Sequence, residues 1–176
     1  MTARRRDLVE SARQERTAEQ RARTDYTGGV YGSLLAASVV IGAGTLGPWP
    51  RLELVVLLLV TGVVFWVAHV HAHLFGARLA MHPLHRRAIW HVCRDEWPIL
   101  KAAVPPAMAV AVSPLLGLDL PGTMWLAVSV AVAGQVGWSV AAARRSGGSW
   151  RLTALTAVVN LVLGLLIVGF KLAVTH

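Results

Sequence analysis

Three histidines, His69, His71 and His73, lie in the second half of a 24-residue apolar run from Leu52 to Phe75, LELVVLLLVTGVVFWVAHVHAHLF. Ionisable side chains are costly inside a membrane and usually carry a function there. A helix turns about 100° and rises about 1.5 Å per residue. His69 and His73 therefore share a face with Gly62, Trp66 and Gly76, while His71 points nearly the other way. His73 falls within about one turn of the end of the run, at headgroup level, and His69 about two turns in.

Three chemistries are open to this set. Neutral imidazoles can simply hydrogen-bond across helices and to interfacial water. Alternatively, imidazole changes charge near neutrality and serves in proton relays. Finally, the i, i+4 spacing of His69 and His73 can place two imidazoles on one metal. The stretch that follows adds His82, His85, His91, Cys93, Asp95 and Glu96, so the candidate metal ligands are His69, His73 and His85. His69-x-x-x-His73 with His82-x-x-His85 is similar to the histidine boxes of membrane desaturases and hydroxylases. Those enzymes use about eight histidines, as that resemblance implies, whereas this chain has seven in all and lacks a paired His-His element. Other polar residues within apolar stretches are Lys101, Gln135 and Asn160. Lys101 can snorkel to the interface, pair with Asp95 or Glu96, or face the carbonyls of Lys101 and Ala102 that Pro105 and Pro106 leave without donors. Gln135 and Asn160 can join helices by hydrogen bonding. With His69 and His73 these three residues form a candidate polar pathway. The sequence has no Gly-rich phosphate loop, no nucleophile elbow and no acidic pair in a span. No cofactor is expected, and an enzyme is the less favoured reading.

The elements that must position these residues are membrane helices. Hydrophobic residues make up 55% of the chain, charged residues 15%, and mean hydropathy is +0.56; soluble domains are nearer 45–50% apolar and about 25% charged. The net charge is +8, which reads as loops held against anionic lipid rather than as nucleic-acid binding. The single cysteine excludes an internal disulfide. Arg outnumbers Lys fifteen to two, a coding bias of GC-rich bacterial genomes.

Residues 1–27 form a basic, helix-favouring cytosolic tail, and residues 28–176 an all-α transmembrane bundle of five spans. These spans are expected at about 29–47, 52–75, 97–118, 123–143 and 152–174. In the first, Gly28, Gly32 and Ala36, with Gly29, Ser33 and Ala37, form small-residue faces that let helices approach closely. This favours packing within the monomer over packing between copies. The connection 76–96 is polar and interrupted by Pro83; a short interfacial helix after it would lack one clean apolar face. The third span, with Pro105, Pro106 and Pro114, is expected to be broken, with a re-entrant segment as the alternative. Glu53 and Lys171 are placed to pair at the outer side.

Orientation follows from charge. With the N-terminus inside, the cytosolic segments 1–27, 76–96 and 144–151 carry seven, four and three arginines, against Arg51 alone outside. The C-terminus is then outside. Trp49 and Trp125 fall at the outer interface and Trp97 and Trp150 at the inner one.

The phrase Phe65-Trp66-Val67-Ala68-His69-Val70-His71-Ala72, with Val168-Gly169-Phe170-Lys171, resembles a pattern in small bacterial multi-pass membrane proteins of no assigned activity. The resemblance covers the chain from about Tyr31 onward. It implies a membrane architecture and localisation to the plasma (inner) membrane, and no activity. The leading functional expectation is a small proton or cation transporter or channel-like protein acting as a homo-oligomer, because five spans are few for a complete path. The alternative is a non-enzymatic scaffold or accessory subunit, and the third a metal-dependent membrane enzyme. The expected surroundings are lipid and anionic headgroups at the Arg-rich segments, with no nucleic acid.

Overall fold

A computed structural model of the chain describes residues 26–44, 50–79 and 85–174. The tail 1–25, the turn at Gly47–Trp49, His82, Pro83 and His176 lie outside the described residues, as does the side chain of Lys171. The described residues form α1 (Tyr26–Gly44), α2 (Arg51–Leu79), α3 (Arg86–Asp95), α4 (Trp97–Val112), α5 (Leu120–Arg145) and α6 (Trp150–Val174). Five helical stretches, with α3 and α4 counted together, are long and apolar enough to cross a membrane, which makes the chain compatible with a membrane protein.

The helices α2, α4, α5 and α6 pack each on the next, and α1 lies along this row against α4 and α5. Half of the α1 span is buried, against 6% of α6. Small residues explain the central place of α1. A Cβ on Gly32 would stand 2.6 Å from the Ile99 carbonyl oxygen of α4, and one on Gly29 would strike the Trp138 ring of α5. Ser33 hydrogen-bonds its own helix at Gly29 (2.8 Å), so its hydroxyl is satisfied within α1. Both small-residue faces are thus used inside the monomer. Around them, Ala36, Ala37, Val40, Leu58, Val110 and Ala131 close the apolar core.

Polar contacts mark the two ends. At one, Arg51 reaches the Leu118 carbonyl and Thr123, and Thr123 Oγ1 lies 2.9 Å from Ser113 Oγ. The α4–α5 turn there needs Gly117 in the left-handed region (φ 66°), and Asp119 caps α5 by accepting from the Gly122 amide at 2.8 Å. At the other end His73 meets Glu96, and Arg144 and Arg145 close α5. Arg51 to His73 and Thr123 to Arg145 are each 22 residues apart, or about 33 Å of helix. That separation matches a hydrocarbon core of about 30 Å. The second end is here called the basic end.

α4 joins these two layers without a break at Pro105 or Pro106 and ends in a 3-10 turn, Ser113–Leu116, around Pro114. The helix thus runs on through Pro105 and Pro106, where the sequence predicts a break, and gives up α geometry only at Pro114. Each proline removes one donor, but its neighbours keep helical geometry. α3 also departs from expectation: Ala88, Ile89, Val92 and Cys93 follow i, i+1, i+4, i+5 and do share one face, although none of the ten residues is fully buried.

Candidate functional site

The histidines of α2 are divided among separate partners. His69 Nδ1 lies 3.0 Å from the Phe65 carbonyl. A carbonyl only accepts, so Nδ1 carries the proton and the ring is bonded to its own helix. The ring also tilts against Tyr31 of α1, with centroids 5.2 Å apart. His71 stacks on Phe75 one turn on. His73 Nδ1 lies 2.7 Å from Glu96 Oε1; the carboxylate is buried and the imidazole mostly exposed. This pair ties the end of α2 to the α3–α4 junction. Trp66 adds a second tie by donating its indole N–H to the Cys93 carbonyl at 2.9 Å, with Trp97 edge-on to its ring.

Lys101 is on another surface. It falls with Trp97, Val104 and Met108 on the exposed stripe of α4, where a long side chain can follow the helix to the interface. His85 is exposed. Among the described residues, no group of three His, Cys, Asp or Glu side chains comes together where it could hold a metal. His69 and His73, four apart, direct their Nδ1 atoms to different acceptors.

Gln135 and Asn160 do meet. Gln135 Nε2 donates to Asn160 Oδ1 at 3.3 Å, and Asn160 Nδ2 donates to the Thr156 carbonyl at 3.0 Å. Gln135 is fully buried, and its Oε1 has no hydrogen-bond partner. A buried amide oxygen left unpaired costs roughly 1–3 kcal/mol, which makes it a place where a donor is missing.

This pair sits on the wall of a cleft between α1, α5 and α6, of about 860 Å³. One turn nearer the basic end, Ser139 of α5 and Thr156 of α6 line the same cleft. Each hydroxyl donates to its own helix, to Val136 and Leu152 respectively, at 2.8 Å. What they present outward is therefore acceptor oxygen. The opposite wall is α1, with Val30 and Leu34. At the mouth, the Arg145 guanidinium stands 5.7 Å from the centroid of the Tyr26 ring, which meets Trp138 edge-on. Tyr31 lines the cleft while touching His69, so α1 carries a side chain adjoining both features.

By contrast, the junction of α1, α2 and α4 near Gly32, Gly62 and Ala103 leaves a void of about 10 Å³, at the lower limit for a single water.

Reading the sequence alone finds Gln135 and Asn160 but passes over Ser139, Thr156 and Arg145 as part of one site. A signal was present. Gln135 and Asn160, and likewise Ser139 and Thr156, are equidistant from the loop at Ser146–Ser149, so an antiparallel α5–α6 pair must bring them level. The His73–Glu96 contact had no such signal, because α2 and α4 are not joined by a short turn. The chain matches no protein-family model, no curated protein and no solved structure.

Proposed function

We propose that the protein is a non-enzymatic, multi-pass membrane protein of the accessory-subunit kind, whose working site is the lateral cleft between α1, α5 and α6. The observation that carries this reading is a cleft of about 860 Å³ between apolar helices whose lining holds a row of polar side chains, Ser139, Thr156, Gln135 and Asn160. Its volume lies within the range of about 300–1,000 Å³ typical of sites for small organic molecules. In a bilayer such a cleft is reached from the lipid, and its natural occupant is an amphiphile. The filled junction of α1, α2 and α4 and the outward placement of Lys101 favour binding over conduction through one protomer.

Filling the cleft tests this. Leu34→Trp and Leu163→Trp both replace cleft-lining residues with larger ones. Added lipid is expected to raise the Tm of the wild-type protein in detergent, and the filled variants are expected to lose most of that rise. An unchanged lipid response in both variants would remove the cleft from consideration.

A second reading, proton or cation movement by an oligomer, is supported by the file of acceptors that descends from the mouth through Ser139 and Thr156 to Gln135 and Asn160. Liposomes loaded with a pH-sensitive dye separate the two readings. Proton flux that is lost in His69→Ala or Asn160→Leu supports transport, and absence of flux supports the binding reading.

A further inference from the structure

We infer that the cleft takes a single-chain phospholipid with a free glycerol hydroxyl, its phosphate on Arg145 and its hydroxyl on the acceptors of α5 and α6. The inference rests on the reading of the cleft as an amphiphile site and specifies its occupant.

The guanidinium fixes the phosphate. Arg145 is the last residue of α5, yet its side chain folds back over the Tyr26 ring, which packs against Trp138 two turns down the helix. Stacking on an aromatic face leaves the N–H edge of a guanidinium available, and that edge matches phosphate in a two-pronged geometry. No carboxylate among the described residues pairs with Arg145. It lies at the level where the basic end would meet headgroups, so an anionic group is complementary in both charge and depth.

The acceptors fix the hydroxyl. Ser139 lies on the chain side of the guanidinium, roughly one and a half to two turns deeper than Arg145 along α5, and Gln135 roughly three. Ser139 and Thr156 donate their own protons to helix carbonyls and so face the cleft as acceptors. A ligand that satisfies this wall must bring a donor just below its phosphate. A diacyl phospholipid has only ester oxygens there. Removing one chain leaves a hydroxyl at that position and narrows the molecule to one chain, which can run along Val30, Leu34 and Leu163.

The test uses the full-length protein in maltoside detergent, titrated by native mass spectrometry with three ligands. Oleoyl lysophosphatidate has both features, monooleoylglycerol lacks the phosphate, and dioleoyl phosphatidate lacks the hydroxyl. Lysophosphatidate is expected to bind at least about tenfold more tightly than monooleoylglycerol, as a charge-assisted hydrogen bond implies, and about 2–10-fold more tightly than dioleoyl phosphatidate, as a neutral one implies. Arg145→Gln should remove the preference for phosphate, and Thr156→Val should weaken the preference for the hydroxyl. Arg144→Gln, an exposed neighbour of equal charge, should leave both preferences intact and so control for net charge. Arg145→Lys keeps the charge without the fork and should bind at an intermediate level, which secures the test if Arg145→Gln does not fold.

Equal binding of all three ligands, or an Arg145→Gln variant that binds as wild type, overturns the inference while leaving the cleft an amphiphile site. Binding of none overturns both. A dimer that excludes the ligands and is lost in Leu163→Trp assigns the cleft to a second copy and overturns the inference as well.

Discussion

Gly32→Ala is the sharpest probe of how the bundle is held together. The added Cβ would lie 2.6 Å from the Ile99 carbonyl oxygen, 2.9 Å from Ala102 Cβ and 3.0 Å from Ile99 Cα. None of these atoms can rotate away, so α1 and α4 must separate by several tenths of an ångström along their contact. Overpacking of this kind costs about 1–3 kcal/mol. Ala is also a better helix former than Gly by about 0.5–1 kcal/mol, which offsets part of the cost. Gly137→Ala supplies the control, because a Cβ at Gly137 on α5 meets nothing within 4 Å. Helix propensity largely cancels between the two variants, so Gly32→Ala should be the less stable by about 1–3 kcal/mol. Unfolding in mixed micelles of rising SDS fraction, followed by tryptophan fluorescence, measures the gap. Equal unfolding midpoints would refute the α1–α4 contact. A gap that grows or shrinks with protein concentration would instead place the small-residue face between copies.

Three further outcomes are expected. A double-mutant cycle on Gln135→Leu and Asn160→Leu should give a coupling of about 0.6 kcal/mol, the average for polar pairs between membrane helices, and no more than about 1.7; additive effects would dissolve the pair. Trp66→Phe removes the indole bond to the Cys93 carbonyl, so maleimide labelling of Cys93, the single cysteine, should quicken by about 2–10-fold; an unchanged rate would show that the tie is not closed in solution. Reporter fusions at the C-terminus should be active only outside the cytosol, and cytosolic activity would reverse the orientation read from the arginines.

The existence of the five apolar helices was legible because each is a long run with little charge, and length and composition alone decide whether a helix can cross a bilayer. Their boundaries were less so. The described part of α1 starts at Tyr26 and α2 continues to Leu79, because polar residues past the hydrocarbon edge can keep helical bonding. Of the α4 prolines, Pro114 ends the α-helix as expected, whereas Pro105 and Pro106 do not, for a related reason. Pro105 and Pro106 reduce the bonding of the helix, but a neighbour on each side holds its course, and that support is tertiary.

The same division runs through the site. The sequence by itself determined that polar groups would sit in apolar helices, and that α1 could approach other helices closely through Gly28, Gly29, Gly32 and Ser33. Which helices it approaches, α4 and α5, was decided only by packing. The histidines drew attention first because ionisable groups are rare in spans, yet the fold bonds His69 to its own helix and His73 to Glu96. It gives the unpaired atom to Gln135 instead. Composition records which groups need partners, but whether each finds one depends on what stands opposite. That is fixed by the order of the helices in space, which a short loop such as Ser146–Ser149 reveals for consecutive helices but no local pattern reveals for the others.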